Sequence, residues 1–358
     1  AIQLHLGGGT PTYLAPAQLD RLLERVTSVF QFKADAERSI EVDARITTSQ
    51  HLDILRKHRF KRISFGVEEF HPAVQQAIGR IQPFEHTYEF SRKCREFGFE
   101  SVNIDLVYGL PLQTRELFES TIDSILRLDP DRIALYNYAH LPSRVPNQRK
   151  IDSSTLPDSD ERVAILCTAI EQFTSNGYRY IGMDHFAKPH DELTRAQAEG
   201  TLQRNFMGFT TRAGSDLYSF GVSAIGSLPS LYTQNAKKLK KYEDRILENE
   251  PAVERGIELT RDDRIRRWVI MELMCNCRVL FDRFQQIWRE DFRSYFREEL
   301  EQLHPFVEDG LINGNFENEI QLTSLGQIMV RPIVMIFDSY LSVKRRESEK
   351  TPLFSKTL

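Results

Sequence analysis

Three consecutive glycines are the first feature of the sequence that could do chemistry. Gly7-Gly8-Gly9 directly follows a strand-like run and precedes Thr10-Pro11-Thr12. Without Cβ atoms, such a turn lets backbone N–H groups approach an anionic or zwitterionic ligand. A tight strand-to-helix turn capped by Thr10 or Thr12 explains the pattern equally well. No Gly-Lys-Ser/Thr follows and the spacing is wrong for a dinucleotide fingerprint, so binding of nucleoside triphosphates or NAD is disfavoured.

Carboxylates within strand-like segments are the second feature. Alternation over residues 41–43 places Glu41 and Asp43 on one face of a strand. Asp105 stands in an otherwise apolar run, where an ionised group is costly unless it is paired or binds something. Such carboxylates suit a ribose diol or an ammonium group. An ion pair between strands, with Arg80 or Arg132 as the partner of Asp105, is the alternative of equal weight.

Histidines beside aromatic residues form a third group, in Tyr136 to Pro142 and Tyr180 to Ala187. A histidine in such surroundings is more often a core residue than a metal ligand. The sequence has no His-x-x-x-His or Cys-x-x-Cys spacing typical of zinc, and Cys275 and Cys277 would point to different faces of a helix. We therefore expect no zinc site, and no serine or cysteine occupies a nucleophile-elbow sequence.

The elements that must position these residues are short strand-like runs alternating with longer amphipathic stretches. The runs are Gln3 to Leu6, Ser39 to Val42, Arg62 to Val67, Ser101 to Val107 and Arg132 to Tyr138. This alternation predicts βαβ units and a parallel sheet, hence an α/β fold. The glycines, Asp43, Glu68, Asp105 and His140 fall at or just beyond the carboxyl ends of the strands. In parallel barrels and doubly wound sheets that edge carries the functional site.

The helical pattern becomes denser from about Arg261. Apolar residues between Phe284 and Leu303 recur at helical spacings and predict one face of a helix. Residues 310–312 and 319–323 predict a short hairpin before a last helix that begins at Ser324. We expect a separate, mainly helical domain here.

Composition and charge narrow the function class. The 358 residues carry 47 Lys and Arg against 51 Asp and Glu, a net charge of −4 spread along the chain, which favours neither a nucleic-acid nor a membrane partner. No apolar run reaches the roughly 18 residues that a membrane-spanning helix needs. Four cysteines in helical sequence favour a reducing, cytoplasmic location over a disulfide scaffold. Because Ala1 already stands within a strand-like run, we expect the chain to be a fragment.

Together these segments resemble the oxygen-independent coproporphyrinogen III oxidases, radical S-adenosylmethionine enzymes of haem biosynthesis. The resemblance extends from residue 1 almost to the carboxyl end and rests on residues 7–12, 41–43, 64–67, 103–106, 108–111, 136–142, 181–187, 221–225 and 260–263. It implies a partial (β/α) barrel of the radical SAM type over residues 1–250, lacking its first strand. Residues 251–358 would then form the mainly helical, wing-like carboxyl-terminal domain.

The resemblance also implies a [4Fe-4S] cluster and two S-adenosylmethionine molecules. The positions that match S-adenosylmethionine-binding residues of the family are Gly8, Gly9, Thr10, Glu41, Glu68, Arg80, Asp105, Ala139 and Ile225. Most members have Gln where this chain has Glu68. A carboxylate there lacks the two N–H donors of the amide and adds a negative charge.

The cluster ligands implied by the resemblance are a Cys-x-x-x-Cys-x-x-Cys run upstream of the glycine turn. None of the four cysteines has that spacing, so no metal ligand is assigned within this sequence, and we expect the chain as given to be inactive. For the intact enzyme the resemblance implies that a 5′-deoxyadenosyl radical starts the oxidative decarboxylation of two propionates of coproporphyrinogen III to vinyl groups. The product would be protoporphyrinogen IX. Arg204 and Arg212 are candidates for binding the propionates, because Arg matches a carboxylate bidentately.

The implied partners are coproporphyrinogen III and an electron donor and acceptor of unidentified kind, for a monomer that binds neither nucleic acid nor membrane. One alternative is a haem chaperone of the same superfamily, which would bind haem without this chemistry. The segments at 136–142, 181–187 and 204–206 favour the oxidase. A second alternative is a plain (β/α) barrel enzyme that binds phosphate at residues 7–10, but no Lys base is evident at a strand end.

Overall fold

The computed structural model describes residues 1–341, which divide into two compact units. The first unit is Ala1–Asp191 and the second begins at Glu192. The sequence predicts a domain boundary near residue 250 from the resemblance to a family. The division into compact units at Asp191 does not test that boundary, which stays a prediction.

The first unit alternates strands and helices as the sequence predicts. Its strands are Gln3–Leu6 (β1), Glu37–Val42 (β2), Arg62–Glu68 (β3), Ser101–Tyr108 (β4), Arg132–Asn137 (β5), Arg179–Gly182 (β6) and His185–Ala187 (β7). Its α-helices are Pro16–Val29 (α1), Ser49–Lys57 (α2), Pro72–Ile78 (α3), Phe84–Glu96 (α4), Arg115–Leu128 (α5) and Ser159–Ser175 (α6). Short 3-10 helices form at Pro11–Tyr13, Pro146–Lys150 and Ser153–Thr155.

The seven strands form one sheet in the order β1-β2-β3-β4-β5-β7-β6. Strands β1 to β5 are parallel to their neighbours, which confirms the predicted parallel sheet. Strand β7 lies between β5 and β6 and is antiparallel to both. No pairing joins β1 to β6 within residues 1–341, so the sheet is an open, partial (β/α) barrel.

Alternating side chains separate the two faces of the central strands. In β3 the buried residues are Ile63, Phe65 and Val67, and in β4 the same face is again apolar. The opposite face carries small or polar residues that lie side by side, since Ser64 pairs with Asn103 and Gly66 with Asp105. One face of the sheet is therefore part of the core, and the other presents polar groups.

The second unit contains small sheets and most of the remaining helices. Its strands are Gln203–Asn205 (β8), Gly208–Thr210 (β9), Ile225–Leu228 (β10), Leu231–Asn235 (β11), Val253–Glu258 (β12), Arg278–Leu280 (β13), Ile312–Asn313 (β14) and Glu319–Leu322 (β15). Its α-helices are Glu192–Ala198 (α7), Leu239–Leu247 (α8), Arg261–Asn276 (α9), Phe281–Trp288 (α10), Phe292–Tyr295 (α11), Arg297–Glu308 (α12), Ser324–Ile328 (α13) and Val330–Val334 (α14). The predicted hairpin is present as β14 and β15, and β13 pairs with the other side of β15.

The single helix predicted over the aromatic residues from Phe284 to Leu303 is wrong, because three helices cover that stretch. Helix α10 ends where Arg289 adopts a left-handed backbone conformation (φ 59°). Asp291 then caps α11, and Phe296 separates α11 from α12. The aromatic rings still meet in one cluster, in which Phe281 stacks on Phe292 at 4.3 Å between ring centroids. Helical spacing predicted the shared core but not the breaks.

No helix within residues 1–341 is both long and apolar enough to cross a membrane.

A buried carboxylate, Glu69, connects the ends of β3 and β4. Glu69 is fully buried, and its Oε1 accepts hydrogen bonds from the Phe70 amide (2.7 Å), the His71 amide (3.0 Å) and the Thr121 hydroxyl. Its Oε2 accepts from Gln113 Nε2 at 2.6 Å.

Gln113 extends this network to the turn after β4. Its Oε1 accepts from the amides of Gly109 (2.6 Å) and Leu110 (3.1 Å), and its Nε2 also donates to the Val107 carbonyl. Glu69 therefore fixes the geometry of two strand ends through neutral donors alone.

Replacing Glu69 by Ala is expected to lower the free energy of unfolding by about 3 kcal/mol, because four donors lose a carboxylate acceptor and those of Gln113 and Thr121 are buried. Urea denaturation followed by circular dichroism measures this change. Glu89→Ala is the matched control, since Glu89 is an exposed residue of α4 and its loss should cost less than about 0.5 kcal/mol. Similar losses for the two variants would contradict the role given to the Glu69 network.

Candidate functional site

The polar residues singled out in the sequence lie at the carboxyl ends of β1 to β5. The glycine turn follows β1, Asp43 follows β2, Glu68 ends β3, Asp105 lies in β4 and His140 follows β5. Because these strands are parallel and adjacent, their carboxyl ends share one edge of the sheet. The prediction that these residues lie at or near the carboxyl ends of neighbouring parallel strands is confirmed.

The glycine turn is tied to β2 by one hydrogen bond. Gly8 and Gly9 adopt left-handed backbone conformations (φ 81° and 70°), which any residue with a Cβ would adopt only with strain. The Gly8 amide donates to Glu41 Oε2 at 3.0 Å. Thr10 makes no side-chain cap to the following 3-10 helix, and the Thr12 hydroxyl bonds to Thr47 instead. The alternative of a simple turn capped by a threonine therefore does not describe this segment.

The two carboxylates that follow one another on β2 have different partners. Glu41 contacts the Gly8 amide and lies 3.4 Å from His5 Nε2 through its other oxygen. The hydrogen bond from His5 and that from Gly8 lower the pKa of Glu41, so it is ionised at neutral pH. Asp43 instead forms an ion pair with Arg45 at 2.6 Å, which lowers the pKa of Asp43.

Glu68 has an unusual backbone at the end of β3. It adopts a left-handed conformation (φ 65°) where the pairing of β3 with β4 is irregular, a conformation that is rare for a residue other than glycine. Its Oε1 lies 4.0 Å from Arg80 Nε. Burial raises the pKa of Glu68, although Arg80 and Arg45 oppose the rise.

Arg80 is held by the backbone at the end of β3. Its Nη2 donates to the Gly66 carbonyl at 2.8 Å and to Gln82 Oε1 at 3.3 Å. Its Nε is buried and makes no hydrogen bond within residues 1–341. One donor of this guanidinium therefore stays available for an anionic ligand group.

Asp105 is enclosed without a cationic partner. Its carboxylate accepts from Asn103 Nδ2 at 2.8 Å and from the Ser64 hydroxyl at 3.3 Å. Burial raises the pKa of Asp105 to about 6, and the nearby Glu68 and Glu41 carboxylates contribute to the rise.

The ion pair between Asp105 and Arg80 or Arg132, which the sequence left open, is not present. Arg80 contacts the backbone at Gly66, and Arg132 pairs with Asp191 at 2.9 Å. Within residues 1–341 no cationic side chain forms an ion pair with Asp105.

Negative charge therefore accumulates at this edge of the sheet. Glu68 and Glu41 lie close enough to raise the pKa of Asp105, and Arg80 and Arg45 are the cations near Glu68. Carboxylates that lose water and repel one another favour either a proton or a cationic ligand. The arrangement can bind a ligand with an ammonium or other cationic centre, whose hydroxyl groups would also find acceptors here.

The segment after β5 is held by its own hydrogen bonds. His140 lies 3.3 Å from the Tyr138 hydroxyl through Nδ1 and 3.0 Å from the Ser153 hydroxyl through Nε2. The Ala139 carbonyl accepts from Gln148 Nε2 at 2.9 Å. His140, which its aromatic surroundings predict to be a core residue, is instead half-buried in a loop that these contacts stabilise. Within residues 1–341 no group of three or more His, Cys, Asp and Glu side chains is arranged to hold a metal ion.

The four cysteines also lie in separate places. Cys94 and Cys275 are buried, Cys277 is half-buried and Cys167 is exposed. Burial raises the pKa of Cys94 and of Cys275 to about 12, and that of Cys277 to about 11, so all three are held as thiols. The cysteines of residues 1–341 therefore do not fit an iron–sulfur cluster, which needs thiolates brought together.

Three predicted residues belong to the second unit. Ile225 begins β10, Arg204 lies in β8 and Arg212 follows β9. The Arg204 guanidinium lies over the Phe209 ring, 5.7 Å from its centroid. The Nε of Arg212 is buried and makes no hydrogen bond within the described residues.

Sequence reasoning missed residues that hold the strand ends and the side chains of the site in place. The clearest is Glu69, and the available signal was alternation: Val67 faces the core and Glu68 the other face, so Glu69 stands where an apolar residue is expected. His5 was missed as well, although it is a polar residue two positions before the glycine turn, on the same face of β1 as Gly7.

Comparison with known proteins agrees with this arrangement. Residues 2–125 match the radical SAM superfamily, and residues 259–328 match the HemN C-terminal domain. An oxygen-independent coproporphyrinogen III oxidase from Escherichia coli is 47% identical over 344 residues, which are 96% of this chain and 75% of that protein. The enzyme of the same name from Pseudomonas aeruginosa is 42% identical over 347 residues, 96% of this chain and 75% of the relative.

A solved structure shows the same fold. The coproporphyrinogen III oxidase HemN from Escherichia coli, described as a radical SAM enzyme, superposes with a TM-score of 0.92 and 47% identity, covering 95% of this chain and 78% of that one. An identity of 47% over 96% of this chain and 75% of the relative shows the family. The chain therefore belongs to the oxygen-independent coproporphyrinogen III oxidase family of radical S-adenosylmethionine enzymes.

Proposed function

We propose that the carboxyl ends of β1 to β5 bind S-adenosylmethionine for this family's reaction. The binding residues in this proposal are Gly8, Gly9, Thr10, Glu41, Glu68, Arg80, Asp105 and Ala139. The assignment of Ile225, a residue of the second unit, stays a prediction from the resemblance. The observation that carries the proposal is Asp105, which forms no ion pair within residues 1–341 and whose pKa is raised by burial and by the Glu68 and Glu41 carboxylates. A carboxylate in such a place favours a cationic ligand or a proton. S-adenosylmethionine offers a sulfonium, an ammonium, a carboxylate and a ribose diol.

Each class of group has a counterpart in the site. Ionised Glu41 can accept hydrogen bonds from an ammonium group or a ribose hydroxyl. Arg80 has its orientation fixed by the Gly66 carbonyl, and its unbonded Nε can donate to the carboxylate of the ligand. Glu68 accepts but cannot donate when ionised, so it suits the cationic or hydroxyl groups rather than the ligand's carboxylate. Two S-adenosylmethionine molecules, as predicted from the sequence, remain part of this proposal.

The enzyme of this family is an oxidoreductase that converts two propionates of coproporphyrinogen III to vinyl groups without oxygen. When bound, S-adenosylmethionine and the [4Fe-4S] cluster supply the radical that removes a propionate hydrogen. The residues described here bind and orient S-adenosylmethionine.

Arg204 and Arg212 remain the proposed ligands of the substrate carboxylates. The Phe209 ring contacts the guanidinium of Arg204, which restricts its orientation. The monomeric state, the cytoplasmic location and the unidentified electron carriers stay predictions.

Glu41→Gln and Asp105→Asn are expected to weaken S-adenosylmethionine binding by about tenfold each, because each removes a charge that faces a cationic ligand. Isothermal titration with the full-length, anaerobically reconstituted protein measures the affinity. Asp123→Asn is the matched control, since Asp123 is an exposed residue of α5. Unchanged affinity in both site variants would rule out this edge of the sheet as the binding site.

Turnover tests the reaction itself. With coproporphyrinogen III, S-adenosylmethionine and a reductant, the full-length protein is expected to release two CO₂ per substrate, counted by mass spectrometry of the porphyrin product. Haem binding with all four carboxylates of coproporphyrinogen III retained would instead favour the chaperone alternative.

Asp105→Asn is also expected to raise the free energy of unfolding at pH 8 and to leave it unchanged at pH 4. The folded protein holds the Asp105 proton up to a pKa of about 6, against 3.8 for the unfolded chain, so stability falls as the pH rises between these values. The neutral amide avoids this loss, and the gain at pH 8 should be roughly 3 kcal/mol. Urea denaturation at both pH values measures it, and equal stability of variant and parent at pH 8 would contradict the raised pKa.

A further inference from the structure

His5 connects β1, β2 and the glycine turn. Its ring is largely buried, with 19% of the side chain exposed. Its Nδ1 lies 2.8 Å from the Ser39 hydroxyl oxygen, and Ser39 is the direct partner of His5 in the pairing of β1 with β2. Its Nε2 lies 3.4 Å from Glu41 Oε1. Both ring nitrogens therefore face β2.

The ionisation of Glu41 fixes the roles of the two ring nitrogens. Because the Glu41 carboxylate is ionised, it can only accept, so the Nε2 that faces it must carry a hydrogen. In a neutral imidazole Nδ1 is then the acceptor, and the Ser39 hydroxyl donates to it. Glu41 thus selects the tautomer with the N–H on Nε2, and the Ser39 hydroxyl, which can donate or accept, accommodates it as a donor to Nδ1.

The carboxylate of Glu41 is shared between His5 and the turn. Oε1 faces His5, while Oε2 accepts from the Gly8 amide at 3.0 Å. The rotation of one carboxylate therefore determines both contacts.

Gly7 leaves the space that this arrangement occupies. A Cβ on Gly7 would lie 2.5 Å from His5 Nε2 and 3.0 Å from the Glu41 carboxyl carbon. Such distances are too short for any ordinary contact. The absence of a side chain at Gly7 thus serves the His5–Glu41 pair, whereas Gly8 and Gly9 serve the left-handed backbone of the turn.

We propose that His5 is a positioning residue, which holds the Glu41 carboxylate on the Gly8 amide and so fixes the shape of the turn that binds S-adenosylmethionine. The last step rests on the function proposed above; the contact between Glu41 and Gly8 does not. His5 acts through Glu41 and is not itself a catalytic residue. If His5 only filled space, a ring of the same volume without nitrogens would replace it. The variants therefore distinguish the volume of the ring from its hydrogen bonds.

His5→Phe retains a flat ring but removes both nitrogens, whereas His5→Gln places an amide N–H near the position of Nε2. Glu41→Gln serves as the reference for a turn without the ionic acceptor. Gly7-Gly8 and Gly8-Gly9 are the two Gly-Gly pairs in the sequence. Labelling glycine with ¹³C at the carbonyl and ¹⁵N at the amide therefore gives carbonyl-correlated amide NMR signals from Gly8 and Gly9 alone within residues 1–358. In the full-length protein, the Gly8 signal is assigned by its shift in Glu41→Gln.

The first readout is the Gly8 amide signal of the full-length protein without S-adenosylmethionine. We expect His5→Phe to move this signal towards its position in Glu41→Gln and to speed its hydrogen exchange, and His5→Gln to leave it near the parent position. A Gly8 signal that is unchanged in His5→Phe would overturn the proposal. This readout does not depend on whether the turn binds S-adenosylmethionine.

The second readout is S-adenosylmethionine affinity by isothermal titration of the reconstituted full-length protein. We expect a loss of about tenfold for His5→Phe, comparable with the loss of one hydrogen bond to a charged group, and less than about threefold for His5→Gln. If the Gly8 signal moves in His5→Phe and the affinity does not, the positioning of Glu41 stands and the assignment of this turn to S-adenosylmethionine fails. Equal losses in both His5 variants would overturn the positioning role.

Discussion

The gathering of partly buried carboxylates at one edge of the sheet is the constraint on which the rest of the site depends. Charges that lose water must be stabilised by other means, and each one here has a different means. Glu41 has the Gly8 amide and His5, and Glu68 has Arg80 nearby. Among residues 1–341, Asp105 accepts hydrogen bonds from the neutral donors Asn103 and Ser64. The protein accepts this cost at the strand ends, as expected where a site is prepared for a ligand of opposite charge.

The positions of the parallel strands could be predicted because apolar residues alternate along a strand and recur every three or four residues along a helix, which shows which side chains are buried. In β3 and β4 every second residue is buried, as the sequence implies. Side-chain partners were less predictable. Asp105 was equally compatible with a ligand and with an arginine, and the sequence does not show that Arg132 pairs with Asp191. The break at Arg289 was hidden because a left-handed residue other than glycine leaves no compositional signal.

Glu69 shows how a charged residue can serve structure rather than chemistry. It neighbours Glu68 in sequence, yet it lies on the other side of the strand end, fully buried and surrounded by amide and hydroxyl donors. The two adjacent carboxylates thus have different roles. Glu68 faces the site, and Glu69 fixes the backbone that follows β3. A sequence pattern that counts acids near a strand end would not separate the two.

The antiparallel strand β7 ends the parallel array after five strands, and within residues 1–341 the outer strands β1 and β6 do not pair. A closed barrel of eight strands fills its interior with layers of side chains, so its ligands are confined to the loops at the mouth. A sheet that does not close into a barrel need not fill its inner face with layers of side chains. The width of the opening that a flat macrocycle needs can then come from the order of the strands. Longer loops or insertions are not needed to create that width.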